Sequence, residues 1–143
     1  MTGRLIINGK DAWTTWGVFL EEGSYGRLLS GDSVKPYTTN ESRSIDGVDV
    51  WMKDPRLEAR RLTVVVCFAE RSGSFIYRYN SLISELLQGR MQGDRRIPNS
   101  FNVPPIGKNF KFIYEGHTNL TQSNMALGKV ALRFFEPNPT DRT

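Results

Sequence analysis

The stretch that most restricts the fold is residues 56–69. Leu62, Val64, Val66 and Phe68 alternate along it, and the intervening Thr63, Val65 and Cys67 are themselves partly apolar. Period-two alternation puts one set of side chains on each face of a β-strand. Because both faces carry apolar groups, both need cover. This predicts a strand inside a sandwich, or a strand with a helix packed on it.

One segment supplies such a helix. Over about 74–88, Phe75, Ile76, Tyr79, Leu82, Ile83, Leu86 and Leu87 recur at helical spacing and form a single apolar stripe wide enough to lie on a sheet. Ser74 is suited to cap its start, and Gly89 to end it in the left-handed conformation. A stripe of this kind reads as a packing face rather than a lipid- or cofactor-binding one.

Further strands are expected at residues 4–8, stopped by the turn pair Asn8-Gly9, and at residues 17–22. Trp13 and Trp16 lie between them and read as core fillers. Phe110, Phe112 and Tyr114 share the face of another strand. Val130, Leu132 and Phe134 mark the last, which Pro137 and Pro139 terminate. Residues 90–105 read as a polar, proline-bounded loop. Residues 23–55 are dense in glycine, proline and small polar groups, and read as turns and a long excursion rather than a helix. Yet Tyr37, Val48, Val50 and Trp51 within that excursion are too apolar for a solvated loop. They are expected to find their partner on another subunit. The predicted architecture is mainly β: a β-sandwich or small barrel with one flanking amphipathic helix (about 74–88) and a long extended arm. Residues 1–143 are expected to form one domain.

A chain of 143 residues, 38% hydrophobic and 24% charged, can bury a core without disulfides or a structural metal. Its one cysteine, Cys67, cannot form an intrachain disulfide and reads as a small buried hydrophobe. Neither a secretory leader nor a membrane-spanning run is visible, so the expectation is synthesis and use in the cytoplasm, or exit by a route needing no Sec signal, without a membrane partner. The net charge of +4 is scattered, with short pairs at Arg60-Arg61 and Arg95-Arg96. Sequence-specific nucleic-acid readers concentrate such charge on one face.

The residues that chemistry requires do not assemble into a pattern. His117, the single histidine, sits between Gly116 and Thr118 and reads as an exposed turn residue. Asp46, Asp49 and Asp54 lack the spacing and the closing Glu of a calcium loop. Gly26 and Gly31 are five apart, but Asp32 and Ser33 follow where a phosphate-binding loop needs Lys and Ser or Thr. Tyr77, Arg78 and Tyr79 could stack single-stranded bases, yet Tyr79 belongs to the helical stripe. The sequons at Asn40 and Asn119 carry no weight without a secretory signal. No catalytic residue, cofactor or metal is therefore predicted.

The order of motifs resembles the N-terminal domain of phage distal tail proteins. The opening Ile6, Ile7, Asn8, Gly9, Lys10, Asp11, followed by Trp16, Gly17, Val18, matches the family's start. Residues 44–49 stand where the family has a polar glycine turn, with Ile45, Asp46, Gly47 and Val48 in place of its usual Gly-Arg-Asp-Gly. Residues 60–66 resemble the long strand, Leu86 to Gly89 the end of the helix, and residues 132–137 the closing strand with its acidic-proline exit. The chain is expected to correspond to that N-terminal domain alone, without the carbohydrate-binding or galectin-like C-terminal domain of some members. The resemblance implies a β-sandwich or small barrel in a hexameric ring that joins the tail tube to the baseplate or tip. It also implies a virion protein made in the host cytoplasm, with other tail proteins above and below and DNA passing without sequence readout. Tyr37, Val48, Val50 and Trp51 are the expected oligomer interface, and most basic residues are expected to point away from the lumen. The alternatives are a tail-tube or secretion-tube protein of the same fold, a free-standing nucleic-acid-binding β-barrel, and a small hydrolase built on His117 or a carboxylate pair in a concave pocket.

Overall fold

The structure, a computed structural model, describes residues 2–40, 43, 46–51, 56–69, 75–118, 121–124 and 127–143. Its first hairpin follows directly from Asn8 and Gly9. Both adopt positive φ, 52° and 81°, as a two-residue type I′ hairpin requires. The turn joins β1 (Ile6–Ile7) to β2 (Lys10–Asp11), with Ile7 opposite Lys10. Asp11 then caps α1 (Ala12–Trp16) by accepting the Thr14 amide at 3.0 Å. Gly17 ends the helix at φ 65° and leads into β3 (Val18–Leu20). Trp16 is buried in the core as expected, whereas Trp13 is half-buried and meets Phe19 edge-on at 6.0 Å.

The excursion expected from residue 23 onward begins instead with a helix, α2 (Glu22–Leu29). Gly23 and Gly26 each disfavour it by about 1 kcal/mol relative to alanine. Tertiary anchoring outweighs them. Leu28 is fully buried, Tyr25 packs on the core, and Ser24 Oγ bonds both the amide (2.9 Å) and the carbonyl (3.1 Å) of Val65. The arm proper follows as β4 (Thr38–Asn40) and β5 (Asp49–Trp51), paired antiparallel with each other.

The strand that opened the sequence argument is β6 (Arg60–Ala69). Val64, Val66 and Phe68 are buried on one face, Cys67 is buried on the other, and Val65 is half-buried. The amphipathic helix is α3 (Phe75–Gln88). Its expected cap, Ser74, lies outside the described residues, and Gly89 stops it at φ 66°.

Where a loop was expected at 90–105, the chain forms β7 (Arg90–Gln92), β8 (Arg95–Ile97) and β9 (Asn99–Val103). Asn99, Phe101 and Val103 alternate into the core. The polar Asn99 hid this alternation. It is accommodated because its amide donates to Leu86 O at 3.0 Å and its oxygen accepts from Asn8 at 2.9 Å. A 3₁₀ turn (Pro104–Ile106) precedes β10 (Lys108–His117), β11 (Thr121–Asn124) and β12 (Leu127–Glu136).

The main sheet is antiparallel and runs β2-β1-β9-β10-β12-β6-β3, with β11 on β12. It curls into a half-barrel. The curl passes through β10, whose first half pairs with β9 and whose second half pairs with β12. Phe101, Phe110, Phe112 and Phe134 fill its interior, with neighbouring ring centroids 4.9–5.4 Å apart. Leu82 and Leu86 of α3 are buried against this core. The mainly-β class thus stands, with α1 and α2 added to the one flanking helix expected.

Candidate functional site

The arm is a hairpin with a defined root. Val34 and Leu57 form a bridge, Lys35 N donates to Arg56 O, and Glu58 N donates to Ser33 O, each bond 2.7 Å long. Further out, Thr39 faces Val50 and Thr38 faces Trp51. The arm joins no strand of the main sheet among the described residues. Its apolar groups consequently lack cover: Val48 is 49% exposed and Val50 42%. Tyr37 is half-buried, and the Trp51 side chain lies outside what the structure describes. Two exposed valines two residues apart, one of them on a paired strand, form an apolar edge that favours contact with another surface.

The root is anchored by a buried ionic cluster that sequence reasoning missed. Arg60 and Glu136 stand opposite each other on β6 and β12. Glu136 is fully buried and accepts from Arg60 Nε at 2.5 Å and from Arg142 at 2.9 and 3.1 Å. Arg142 also holds Asp32 through two bonds of 2.7 and 3.1 Å. The hydrogen bond from Arg142 holds the Asp32 carboxyl below its usual range. Glu136 and Asp32 in turn raise the Arg142 pKa further. Arg60 reaches on to the carbonyls of Arg27, Leu28 (2.8 Å) and Ser30. A cation there satisfies the open C-terminal carbonyls of α2 and complements the helix dipole. One cluster therefore ties α2, the segment entering the arm, two sheet strands and the chain's last residues together. In the sequence, Arg60 is half of a scattered basic pair and Glu136 part of an acidic-proline exit. Only the β6–β12 register brings them together.

His117 is not an exposed turn residue. It is half-buried at the end of β10, and both ring nitrogens are engaged: Nε2 with Tyr79 Oη at 2.5 Å and Nδ1 with Tyr114 Oη. A β-bulge between Tyr114 and Gly116 makes this possible. Three residues apart on a regular strand, Tyr114 and His117 would face opposite ways. The extra residue pairs them with Phe134 and Leu132, which share the core face. Burial raises the pKa of both tyrosines, with Tyr114 raised further by its neighbour Tyr79 and partly offset by Arg133. A histidine with both nitrogens in use is a staple between α3 and the sheet; as a general base it would first have to break a bond.

The other sequence candidates do not converge. Asp54 lies outside the described residues. Among those described, no group of three or more His, Cys, Asp or Glu residues is placed to hold a metal ion. Burial pushes the Cys67 thiol up, away from the thiolate form. Of the basic pairs, Arg60 is buried while Arg61 pairs with Glu115 at 3.2 Å and lies over Phe135. Among the described residues Tyr77 is the one strongly exposed aromatic, whereas base-stacking platforms use several. No described helix is long and apolar enough to cross a membrane.

These observations define a mainly-β protein with a curled antiparallel sheet, a packed helix and an uncovered hairpin arm. No protein-family model and no curated protein matches the chain. Among solved structures it is similar to the crystal structure of SPP1 Dit (gp 19.1), described as a paradigm of the hub adsorption apparatus in phages infecting Gram-positive bacteria. The TM-score is 0.58 at 19% identity, over 95% of this chain and 50% of Dit. At that identity the likeness is one of fold, and the chain spans about half the length of Dit.

Proposed function

We propose that the chain is a structural component of a phage tail, or of a tail derived from a prophage. In this reading residues 1–143 act as one unit, whose copies form a ring joining the tail tube to the baseplate or tip. The observation that carries it is the arm. A hairpin held firmly at its root, with Val48 and Val50 exposed, is suited to a neighbouring subunit. Contacts between unlike patches close into a ring when the rotation permits. The fold likeness to a phage hub protein supports the same reading. DNA would pass through the pore without sequence readout, and other tail proteins would sit above and below.

Light scattering across a concentration series, with negative-stain imaging, tests it. The expected result is a closed ring, six-fold by the resemblance, with a central pore. Replacing both Val48 and Val50 with Asp should shift the mass to that of single chains while leaving the circular dichroism spectrum unchanged. A wild-type protein that stays a single chain when concentrated would refute the reading.

A further inference from the structure

A head-to-tail ring needs two different patches on each copy, and the described surface offers a second one. It lies where α3 ends, beside β10. Leu87 (63% exposed) and Ile113 (43%) flank a cavity of about 240 Å³ whose wall also includes Gly89, Arg96 and Phe112. Met91 pairs with Arg96 across the β7–β8 hairpin, so it stands on the same face, and it too is exposed. The floor is apolar and one rim is basic. Residues 90–97 carry Arg90, Arg95 and Arg96 against Asp94, a net +2.

The arm has the opposite character. Residues 40–51 carry Glu41, Asp46 and Asp49 against Arg43, a net −2. The same stretch presents Val48 and Val50. We infer that this groove, between the end of α3, the β7–β8 hairpin and β10, receives the distal arm of a second copy. Val48 and Val50 lie on Leu87 and Ile113, and Asp46 lies towards Arg96. Apolar burial at the centre supplies most of the affinity. The charged rim fixes orientation and disfavours the reversed pairing. Every copy then donates one arm and accepts another, which is the arrangement a closed ring requires. The inference rests on the ring reading above and adds to it the address of the arm.

Single-cysteine variants in a Cys67→Ala background test it. Val48→Cys and Leu87→Cys proteins are mixed, allowed to assemble and oxidised. The expected product is a disulfide-linked pair on a denaturing gel, several-fold more abundant than with Val48→Cys mixed with Thr140→Cys. In parallel, Asp46→Arg and Arg96→Asp should each raise the concentration for half-assembly about tenfold, and the two together should recover most of that loss. Wild-type protein that never assembles removes the ring reading and this inference together. Protein that assembles normally yet gives no Val48–Leu87 cross-link, or no recovery in the reversed pair, leaves the ring standing and overturns the groove; the apolar face then belongs to another partner.

Discussion

Glu136→Gln offers the sharpest probe of how the sheet is held to the arm root. The substitution keeps the side chain's shape and removes its charge. Glu136 is fully buried and takes three bonds, all from arginine N–H groups. Glutamine can accept at only one terminal atom. Whichever way its amide turns, the NH₂ faces an arginine donor, so at least one bond becomes a clash of like partners. Arg60, with its side chain 5% exposed, is then left with Asp32 as its remaining counter-ion at 3.9 Å. Breaking a buried pair by removing one charge costs about 3–5 kcal/mol. For a chain of this size each kcal/mol lowers Tm by about 2–4 °C, so a fall of roughly 10 °C is expected. Urea unfolding followed by tryptophan fluorescence gives the free energy directly. The companion variant Arg60→Met/Glu136→Leu removes both charges. It should recover part of the loss but not all, because the carbonyls at the end of α2 lose their donor. A cost below about 1 kcal/mol for Glu136→Gln would show that the cluster contributes little, and that α2 and the arm root are held some other way.

Three further outcomes follow from the same geometry. Gly17→Ala should destabilise by about 1–3 kcal/mol from its left-handed backbone alone, and by more in practice, since a Cβ there would stand 2.5 Å from Ala69 O; thermal melts would show it, and an unchanged Tm would contradict the close approach of Gly17 to the end of β6. His117→Ala strands the hydroxyls of Tyr79 and Tyr114 and should cost about 1–3 kcal/mol without altering the assembled mass; loss of assembly at constant stability would give His117 a role beyond stapling. Asp32 has a folded pKa below its unfolded one because Arg142 bonds its charged form. Its contribution is therefore present above the unfolded value of about 3.9 and is lost as pH falls through the folded value. Stability measured between pH 6 and pH 2 should fall at the acid end, and less steeply in Asp32→Asn; identical slopes would exclude Asp32 from the cluster's acid sensitivity.

Residue pattern alone determined the elements whose signal is local. The alternation in β6, the helical stripe of α3 with its Gly89 stop, and the Asn8-Gly9 turn each depend on neighbours a few residues away. Their physics is therefore written in consecutive letters. The uncovered valines of the arm were legible for the same reason, as apolar groups amid turn-forming residues. Tertiary structure alone decided the rest. Helix α2 carries two glycines and forms because Ser24 and Leu28 find β6 and the core. Strand β9 hides behind Asn99, a polar residue that is satisfied only by Leu86 and Asn8. The bulge in β10 reverses the face of His117 and delivers it to Tyr79, 38 positions earlier. Arg60 and Glu136, 76 positions apart, meet only through strand register. A charge at a strand end reads the same in sequence whether water or a buried partner awaits it, because what separates the two cases is the chain on the other side.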